Sequence, residues 1–255
     1  MDNLLSDPSF YLAAVPAVAL IGLSKGGLGG ALALMGVPLL SFAVPPVQAA
    51  AILLPILVVM DMFALWSWRG YRDLATLRYM LPGAMVGIAI GWATAALVTA
   101  AMIKLIVGLV AVIFALRWWL TRRSPNASTG QNALRGAFWG VGAGFTSFVA
   151  HAGGPPYQIY ALPLGHDPRI YTGTSTIFFA VVNAVKLVPY FALGQFDATN
   201  LKASAVLMPV APVTILIGVW AVKRMNREVF YPLMYTMVLL VALKLLWDGY
   251  QSLIA

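Results

Sequence analysis

The sequence predicts an all-α integral membrane protein, a helical bundle of two inverted structural repeats with about eight to ten membrane segments. Three observations support this fold class. Of the 255 residues, 61% are hydrophobic and 9% are charged, whereas roughly a quarter of the residues in soluble domains are charged. Apolar runs of membrane-spanning length follow one another along the chain. Glycine and proline interrupt two of these runs at corresponding places in two halves, at Ser24–Gly30 and His151–Pro156.

Apolar runs and their punctuation define the elements of each half. Repeat one, residues 10–120, is predicted to contain segments 10–24 and 28–44 around the first break, then helices at 49–68, 74–98 and 102–120. A polar linker covers 121–133. Repeat two, residues 134–251, has segments 134–150 and 157–164 around the second break, then helices at 170–193, 201–222 and 229–251. We therefore expect one membrane domain over 1–255, in which each repeat begins with a Gly/Pro-broken hairpin followed by three transmembrane helices.

Matching residues indicate that the two halves arose by duplication. The Gly36 and Pro38 pair aligns with Gly154 and Pro156, and Leu81-Pro82 aligns with Met208-Pro209. If each broken segment crosses the membrane once, the repeats are parallel. If it folds back as a hairpin, each half has an odd number of crossings and the repeats are inverted.

The distribution of basic residues favours the inverted arrangement. The net charge is +8, and the basic residues flank the apolar spans in clusters: Arg69 and Arg72, Arg117–Arg135, Arg169, and Lys223–Arg227. With inverted repeats all of these clusters face the cytoplasm, and acidic Asp2, Asp7 and Asp197 face out. Because the basicity is explained by membrane orientation, it does not indicate a nucleic-acid partner.

The sequence lacks the residues that several classes of chemistry require. The chain has no cysteine, which excludes disulfides and thiolate chemistry. His151 and His166 are not at metal-ligand spacing, and no phosphate-binding loop of the Walker type occurs. We therefore expect no catalytic residues, no metal and no cofactor.

The two breaks are the predicted binding site. A helix that begins at a break presents free N–H groups and a positive dipole end, which suits a small anion. Lys25 and His151 add a cation or a donor beside them. The alternative for such glycines is close helix packing. The predicted substrate-binding residues are Ser24, Lys25, Gly26, Gly27, Gly29, Gly30, His151, Gly153, Gly154 and Pro155.

Polar residues within apolar spans form a secondary set, because burial in lipid is costly unless they function or pair. Asp61 is a candidate for carrying a coupling proton or pairing with Lys186, which would attract substrate. Asn183 shares a helical face with Lys186. The alternatives are a structural ion pair or a snorkelling lysine for Asp61 and Lys186. For the threonine-rich run Thr172–Thr176 the alternative is helix capping. The secondary candidates are Gln48, Asp61, Thr174, Ser175, Asn183 and Lys186.

A stripe of small residues, Gly83, Gly87 and Gly91, allows another helix to approach closely. We favour packing within the bundle, and a homodimer through this face is the alternative.

Over nearly its full length the chain resembles the TauE/SafE sulfite exporter family, also called the toluene-sulfonate uptake permease superfamily. The resemblance is carried by the glycine-rich segment from Gly22 to Gly36-Val37-Pro38, by His151-Ala152-Gly153-Gly154-Pro155, and by the two-repeat layout. It implies transport of sulfite, sulfonates or sulfoacetate across a bacterial plasma or inner membrane.

The functional hypothesis is a secondary carrier that exposes a small anion alternately to the two sides, with protons as the candidate coupling ion and the lipid bilayer as surroundings. An anion channel is the first alternative. The second is an intramembrane hydrolase using Ser147 and His151, which are four residues apart but have no recognisable orienting third group.

Overall fold

The structure is a computed structural model that describes residues 7–28, 32–33, 35–94, 99–121, 129–150, 152–192 and 198–254. Every regular element within these ranges is helical. The α-helices are α1 (Pro8–Leu23), α2 (Gly36–Leu40), α3 (Pro46–Ser67), α4 (Leu74–Ala93), α5 (Ala100–Thr121), α6 (Ala133–Ala150), α7 (Gly154–Ala161), α8 (Pro168–Ala192), α9 (Ala198–Leu207), α10 (Val210–Arg224) and α11 (Arg227–Ile254). A π-helical turn, Ser24–Leu28, follows α1, and a 3-10 turn, Leu162–Leu164, follows α7. The predicted all-α fold class is confirmed.

Length and hydropathy identify five of the described helices as candidate membrane spans, or six if one bent pair counts as a span. The five are Pro8–Leu28, Leu74–Ala93, Ala101–Thr121, Pro168–Leu187 and Arg227–Leu253. Helices α3 and α6, of 22 and 18 residues, are outside this set. The protein is therefore a multi-pass membrane protein, while the inverted orientation of its repeats stays a prediction.

The bent pair lies where the sequence predicted one continuous segment over 201–222. Residues Asn200–Leu207 and Val210–Arg224 are instead separate helical pieces bent by 46°. Pro209 stands at the junction, and proline has no N–H to continue the helical bonding. Its proposed counterpart, Pro82, lies inside the continuous helix α4. Matched prolines thus have different consequences in the two halves.

The chain divides into two compact units, each made from both halves of the sequence. The first unit comprises Met1–Arg69 and Leu187–Arg224, and the second comprises Gly70–Lys186 and Met225–Ala255. In the first, α1 packs on α10 and α3 packs on α9 and α10. In the second, α4 packs on α6 and α5 packs on α11. The repeat boundaries predicted at 10–120 and 134–251 stay a prediction.

The contact between α4 and α6 rests on two facing glycine stripes. A Cβ atom added at Gly83 or Gly87 would collide with the carbonyl oxygens of Ala137 and Val141 on α6. In return, a Cβ at Gly140 would collide with the carbonyl oxygen of Met80 on α4. Gly136 and Gly144 continue the α6 stripe at the same four-residue spacing. Packing of the α4 stripe within the bundle is therefore confirmed, and the α6 stripe was a signal in the sequence that the prediction missed.

Large apolar side chains cover the outside of α5 and α10. On α5, Ile106 and Ile113 expose 57% and 60% of their surface, and on α10 Ile217 and Trp220 expose 51% and 59%. Such a surface would be unfavourable in water but suits contact with lipid tails. These faces agree with the membrane assignment.

Candidate functional site

The first break begins where α1 ends. The chain does not continue as α-helix but forms the π-helical turn Ser24–Leu28, inside which Gly27 has φ 123° and ψ 1°. Residues other than glycine rarely adopt such a positive φ. π-Helical turns occur mostly as single bulges and frequently at functional sites. The predicted interruption is thus present in the described part of this segment.

Backbone contact with α10 fixes the position of the first break. A Cβ added at Gly26 would lie 2.6 Å from the carbonyl oxygen of Ile215 and 2.7 Å from the Cα of Gly218. A Cβ at Gly22 would collide with the side chain of Thr214. Glycine is therefore needed at Gly22 and Gly26 for close packing, as the alternative interpretation of this motif held. Lys25 directly precedes Gly26 in the same turn.

Lys25 forms an ion pair with Asp61 of α3. Their side chains are 15% and 12% exposed. Both residues were candidates from the sequence, but the contact between them was not predicted. The partner that the sequence suggested for Asp61 was Lys186, and that pairing stays a prediction.

The second break joins α6 to α7. The N–H of Ala152 donates to the carbonyl oxygen of Thr146 at 3.0 Å. The Thr146 hydroxyl shares its single proton between the carbonyl oxygens of Gly142 at 2.8 Å and Ala152 at 3.1 Å. This double link folds the chain back at the end of α6. Gly153 is the N-cap of α7, and prolines stand in its first turn, where proline's missing N–H is not needed.

Gly153 packs closely against α6 at Ser147, about one turn before that helix ends. An added Cβ would lie 2.7 Å from the carbonyl oxygen of Ala143 and 2.8 Å from the Cβ of Ser147. The beginning of α7, where the N–H groups of Gly153 and Gly154 carry a positive partial charge, is therefore close to Ser147.

The side chain of Lys186, on α8, reaches Ser147. Its ammonium group donates to the carbonyl oxygen of Ser147 at 3.0 Å and to the Ser147 hydroxyl at 3.1 Å. Lys186 is 6% exposed and Ser147 is 5% exposed. The Ser147 carbonyl is among the last four of α6, which have no partner within the helix. Lys186 therefore stabilises the end of α6 and brings a buried cation to the second break.

The hydroxyl of Thr174 has two backbone partners. It donates to the carbonyl oxygen of Ile170 at 2.6 Å and accepts from the N–H of Asp73 at 2.8 Å. These bonds agree with the capping alternative for the threonine-rich run. Ser175 and Asn183 lie half-buried on α8, and Gln48 lies half-buried in the first turn of α3.

A polar cluster around Asp73 was missed by sequence reasoning. The Asp73 carboxylate accepts from the N–H of Thr76 at 2.8 Å, which caps α4, and from the side-chain amide of Gln131 at 2.7 Å. His166 lies with its Nε2 atom 3.6 Å from the same carboxylate. Burial lowers the pKa of His166, Asp73 opposes this shift, and Arg227 adds to it. The sequence does not indicate that these residues meet, because Asp73, Gln131 and His166 lie on three separate segments.

The predicted site residues are distributed between the two units. The first unit holds Ser24, Lys25, Gly26, Gly27, Gln48 and Asp61, and the second holds Gly153, Gly154, Pro155, Thr174, Ser175, Asn183 and Lys186. Gly29, Gly30 and His151 lie outside the described residues. A site shared by both breaks stays a prediction. Within the described ranges no group of three or more acidic or histidine side chains is placed to hold a metal ion.

Comparison with known proteins identifies one family. The family model described as "Sulfite exporter TauE/SafE" matches residues 14–245, which include both breaks and the whole of α1 beyond its first turns. No curated protein and no solved structure matches the chain. Because the family match covers most of the 255 residues, this multi-pass membrane protein belongs to the TauE/SafE sulfite exporter family.

Proposed function

We propose that this protein is a secondary carrier of small sulfur-containing oxyanions or organosulfonates, of the sulfite, sulfonate or sulfoacetate type. One observation carries the proposal: each break has a largely buried lysine beside it. Lys25 lies in the turn that forms the first break. Lys186 is bonded to Ser147, against which Gly153 of the second break packs.

Buried cations in a membrane protein have a high energetic cost and mark substrate or ion pathways. Here each lysine stands beside irregular backbone, which is tolerated at membrane depth only where it is buried in protein or lines a polar cavity. At the second break the start of α7 adds the N–H groups of Gly153 and Gly154, since the two prolines that follow have none. A lysine with nearby N–H groups can satisfy the charge and the several oxygens of a sulfonate.

Alternating access is the transport mode that we propose, with the glycine- and proline-rich breaks as substrate-binding segments. Broken segments at corresponding places in two repeats are the usual sequence mark of such a site in secondary transporters. The family description, a sulfite exporter, supports the substrate class. The proposed location is a bacterial plasma or inner membrane, protons are the proposed coupling ion, and a homodimer remains a further proposal.

The first experiment is a thermal-shift screen of the purified protein in detergent with sulfite, sulfate, methanesulfonate, sulfoacetate and acetate. A ligand that binds the folded state raises the melting temperature as its concentration exceeds its Kd. We expect sulfur oxyanions to stabilise the protein and acetate to do so less. If no oxyanion changes the melting temperature, the proposed site is wrong.

A flux assay separates the carrier from an anion channel. Proteoliposomes are loaded with unlabelled substrate and given labelled substrate outside. A carrier shows saturable uptake and acceleration by internal substrate, whereas a channel shows neither. Flux that increases linearly with concentration and is indifferent to internal substrate would contradict the proposal.

A further inference from the structure

The ion pair between Lys25 and Asp61 connects the first break to the interior of α3. Asp61 lies six residues before Ser67, where α3 ends, which corresponds to about 9 Å along the helix axis. Both side chains are mostly removed from solvent. Asp61 is the one charged residue in α3, and its neighbours along this helix are mostly apolar.

The Lys25 ammonium group is not stable as an isolated charge in such surroundings. Removing one partner of a buried ion pair is strongly destabilising, because an uncompensated charge remains. Lys25 therefore requires an anion beside it. That anion is the Asp61 carboxylate in this structure. A second anion that approaches Lys25 is repelled by this carboxylate until Asp61 takes up a proton.

We infer that Lys25 and Asp61 exchange a proton for the substrate anion. In this step, which rests on the proposed function, the Asp61 carboxylate takes up a proton from water and becomes a neutral acid. The ion pair separates, and the Lys25 ammonium group donates its hydrogen bonds to an oxygen of the substrate. On release the anion leaves Lys25, Asp61 returns its proton to water, and the ion pair forms again. One proton thus accompanies each anion.

The backbone around Lys25 is irregular and is held by its neighbours. Lys25 lies in a π-helical turn followed by the non-helical Gly27. Its neighbour Gly26 is held by backbone contact with Gly218. The turn is therefore anchored by backbone contacts at Gly26, which do not involve the Lys25 side chain. The other charged side chains that the structure describes in this unit contact other groups or are exposed: Asp7, Arg69, Lys202, Lys223 and Arg224.

The test uses methanesulfonate, whose single negative charge is constant over the pH range used. Its Kd for the purified wild-type protein is measured by calorimetry between about pH 5.5 and about pH 8.5. Where Asp61 is ionised in the free protein, the apparent Kd should rise by up to about tenfold per pH unit. Titration in two buffers of different ionisation enthalpy should report an uptake of about one proton per anion bound. This measurement requires no variant.

Variants then test whether the proton taken up on anion binding belongs to the Lys25–Asp61 ion pair. Asp61→Asn, which mimics the neutral acid, should bind methanesulfonate with a Kd independent of pH and without proton uptake. In proteoliposomes it should exchange labelled for unlabelled anion but lose accumulation driven by a proton gradient. Lys25→Met should weaken binding by at least about tenfold at every pH. The matched control is Asp248→Asn, which removes the carboxylate from the Lys244–Asp248 pair of α11 and should retain the pH dependence of the wild type.

The outcomes separate this inference from the proposed function. Absence of binding to the wild-type protein at every pH would overturn both. Binding without proton uptake, or a pH dependence that persists in Asp61→Asn, would overturn only the proton exchange. Wild-type affinity in Lys25→Met would also overturn it.

Discussion

Lys186 donates hydrogen bonds to both the backbone carbonyl oxygen and the hydroxyl oxygen of Ser147, which lie 39 positions away in the sequence. The lysine thus closes the last turn of α6 beside Gly153. It has a structural role at the helix end as well as the proposed role in anion binding.

Replacement of Lys186 distinguishes these roles. Lys186→Met should weaken methanesulfonate binding by at least about tenfold, because the buried cation is lost. Ser147→Ala removes one of two acceptors and should lower the free energy of unfolding by about 1 kcal/mol, with flux retained. Calorimetry and thermal unfolding measure the two effects. Lys202→Met, at an exposed lysine of α9, is the control. Unchanged affinity in Lys186→Met would limit this residue to its structural role.

If Ser147→Ala abolished a chemical conversion and not flux, the result would favour the intramembrane hydrolase. The same variant therefore tests that alternative.

The facing glycine stripes predict position-specific effects on stability along α6. Gly140→Ala places a methyl group against the carbonyl oxygen of Met80, and overpacking of this kind costs about 1–3 kcal/mol. Gly142→Ala should be tolerated, because the nearest atom to its added Cβ is the Cβ of Pro156 at 3.6 Å. Thermal unfolding in detergent compares the two. Equal melting temperatures for both variants would contradict the close packing of α4 on α6.

Because His166 is partly buried, we expect the protein to be less stable at acidic pH. Burial lowers its pKa in the folded protein below the usual value, so the unfolded chain binds more protons between the lowered pKa and about 6.5. Stability therefore rises with pH across that interval and is lost as the pH falls through it. His166→Gln should remove this part of the pH dependence. Melting temperatures at about pH 5 and about pH 7.5 provide the measurement. An unchanged difference between the two pH values would show that His166 is not the group responsible.

The absence of cysteine from the natural chain makes its topology directly testable. Single replacements Gly130→Cys and Asn226→Cys lie beside basic clusters that inverted repeats place in the cytoplasm. Ser9→Cys lies beside Asp7, which the same arrangement places on the outside. A membrane-impermeant maleimide applied to whole cells should label the cysteine at position 9 and spare the other two until the cells are opened. Labelling of only one of positions 130 and 226 from outside would indicate parallel repeats.

Much of the secondary structure followed from the sequence, because helix length, hydropathy and chain breaks depend on local composition. Predicted helices at 49–68 and 134–150 correspond within a few residues to α3 and α6. The break within 201–222 could not be predicted from the sequence. Pro82 and Pro209 occur in similar apolar segments, yet Pro82 lies within a continuous helix and Pro209 separates two helices. Only the local packing decides that one is accommodated within a helix and the other separates two helices.

The candidate site was predictable as a set of residues but not as a set of contacts. Lys25, Asp61 and Lys186 were each conspicuous as charges in apolar runs, where charge is rare. Their partners could not be assigned, since any of the three could meet another charge or a free carbonyl group. In the structure, Lys25 contacts Asp61 and Lys186 contacts Ser147.

The sequence by itself determined that this protein is helical, lies in a membrane and is interrupted by glycine and proline at two matching places. These properties depend on composition and on conformational preferences that act within a few residues. Only the tertiary structure decided that Lys25 pairs with Asp61 and that the α4 and α6 glycines face each other. Such contacts join residues tens of positions apart, 36 for Lys25 and Asp61. They arise because burying a charge requires a partner, and close helix approach requires small residues on both sides.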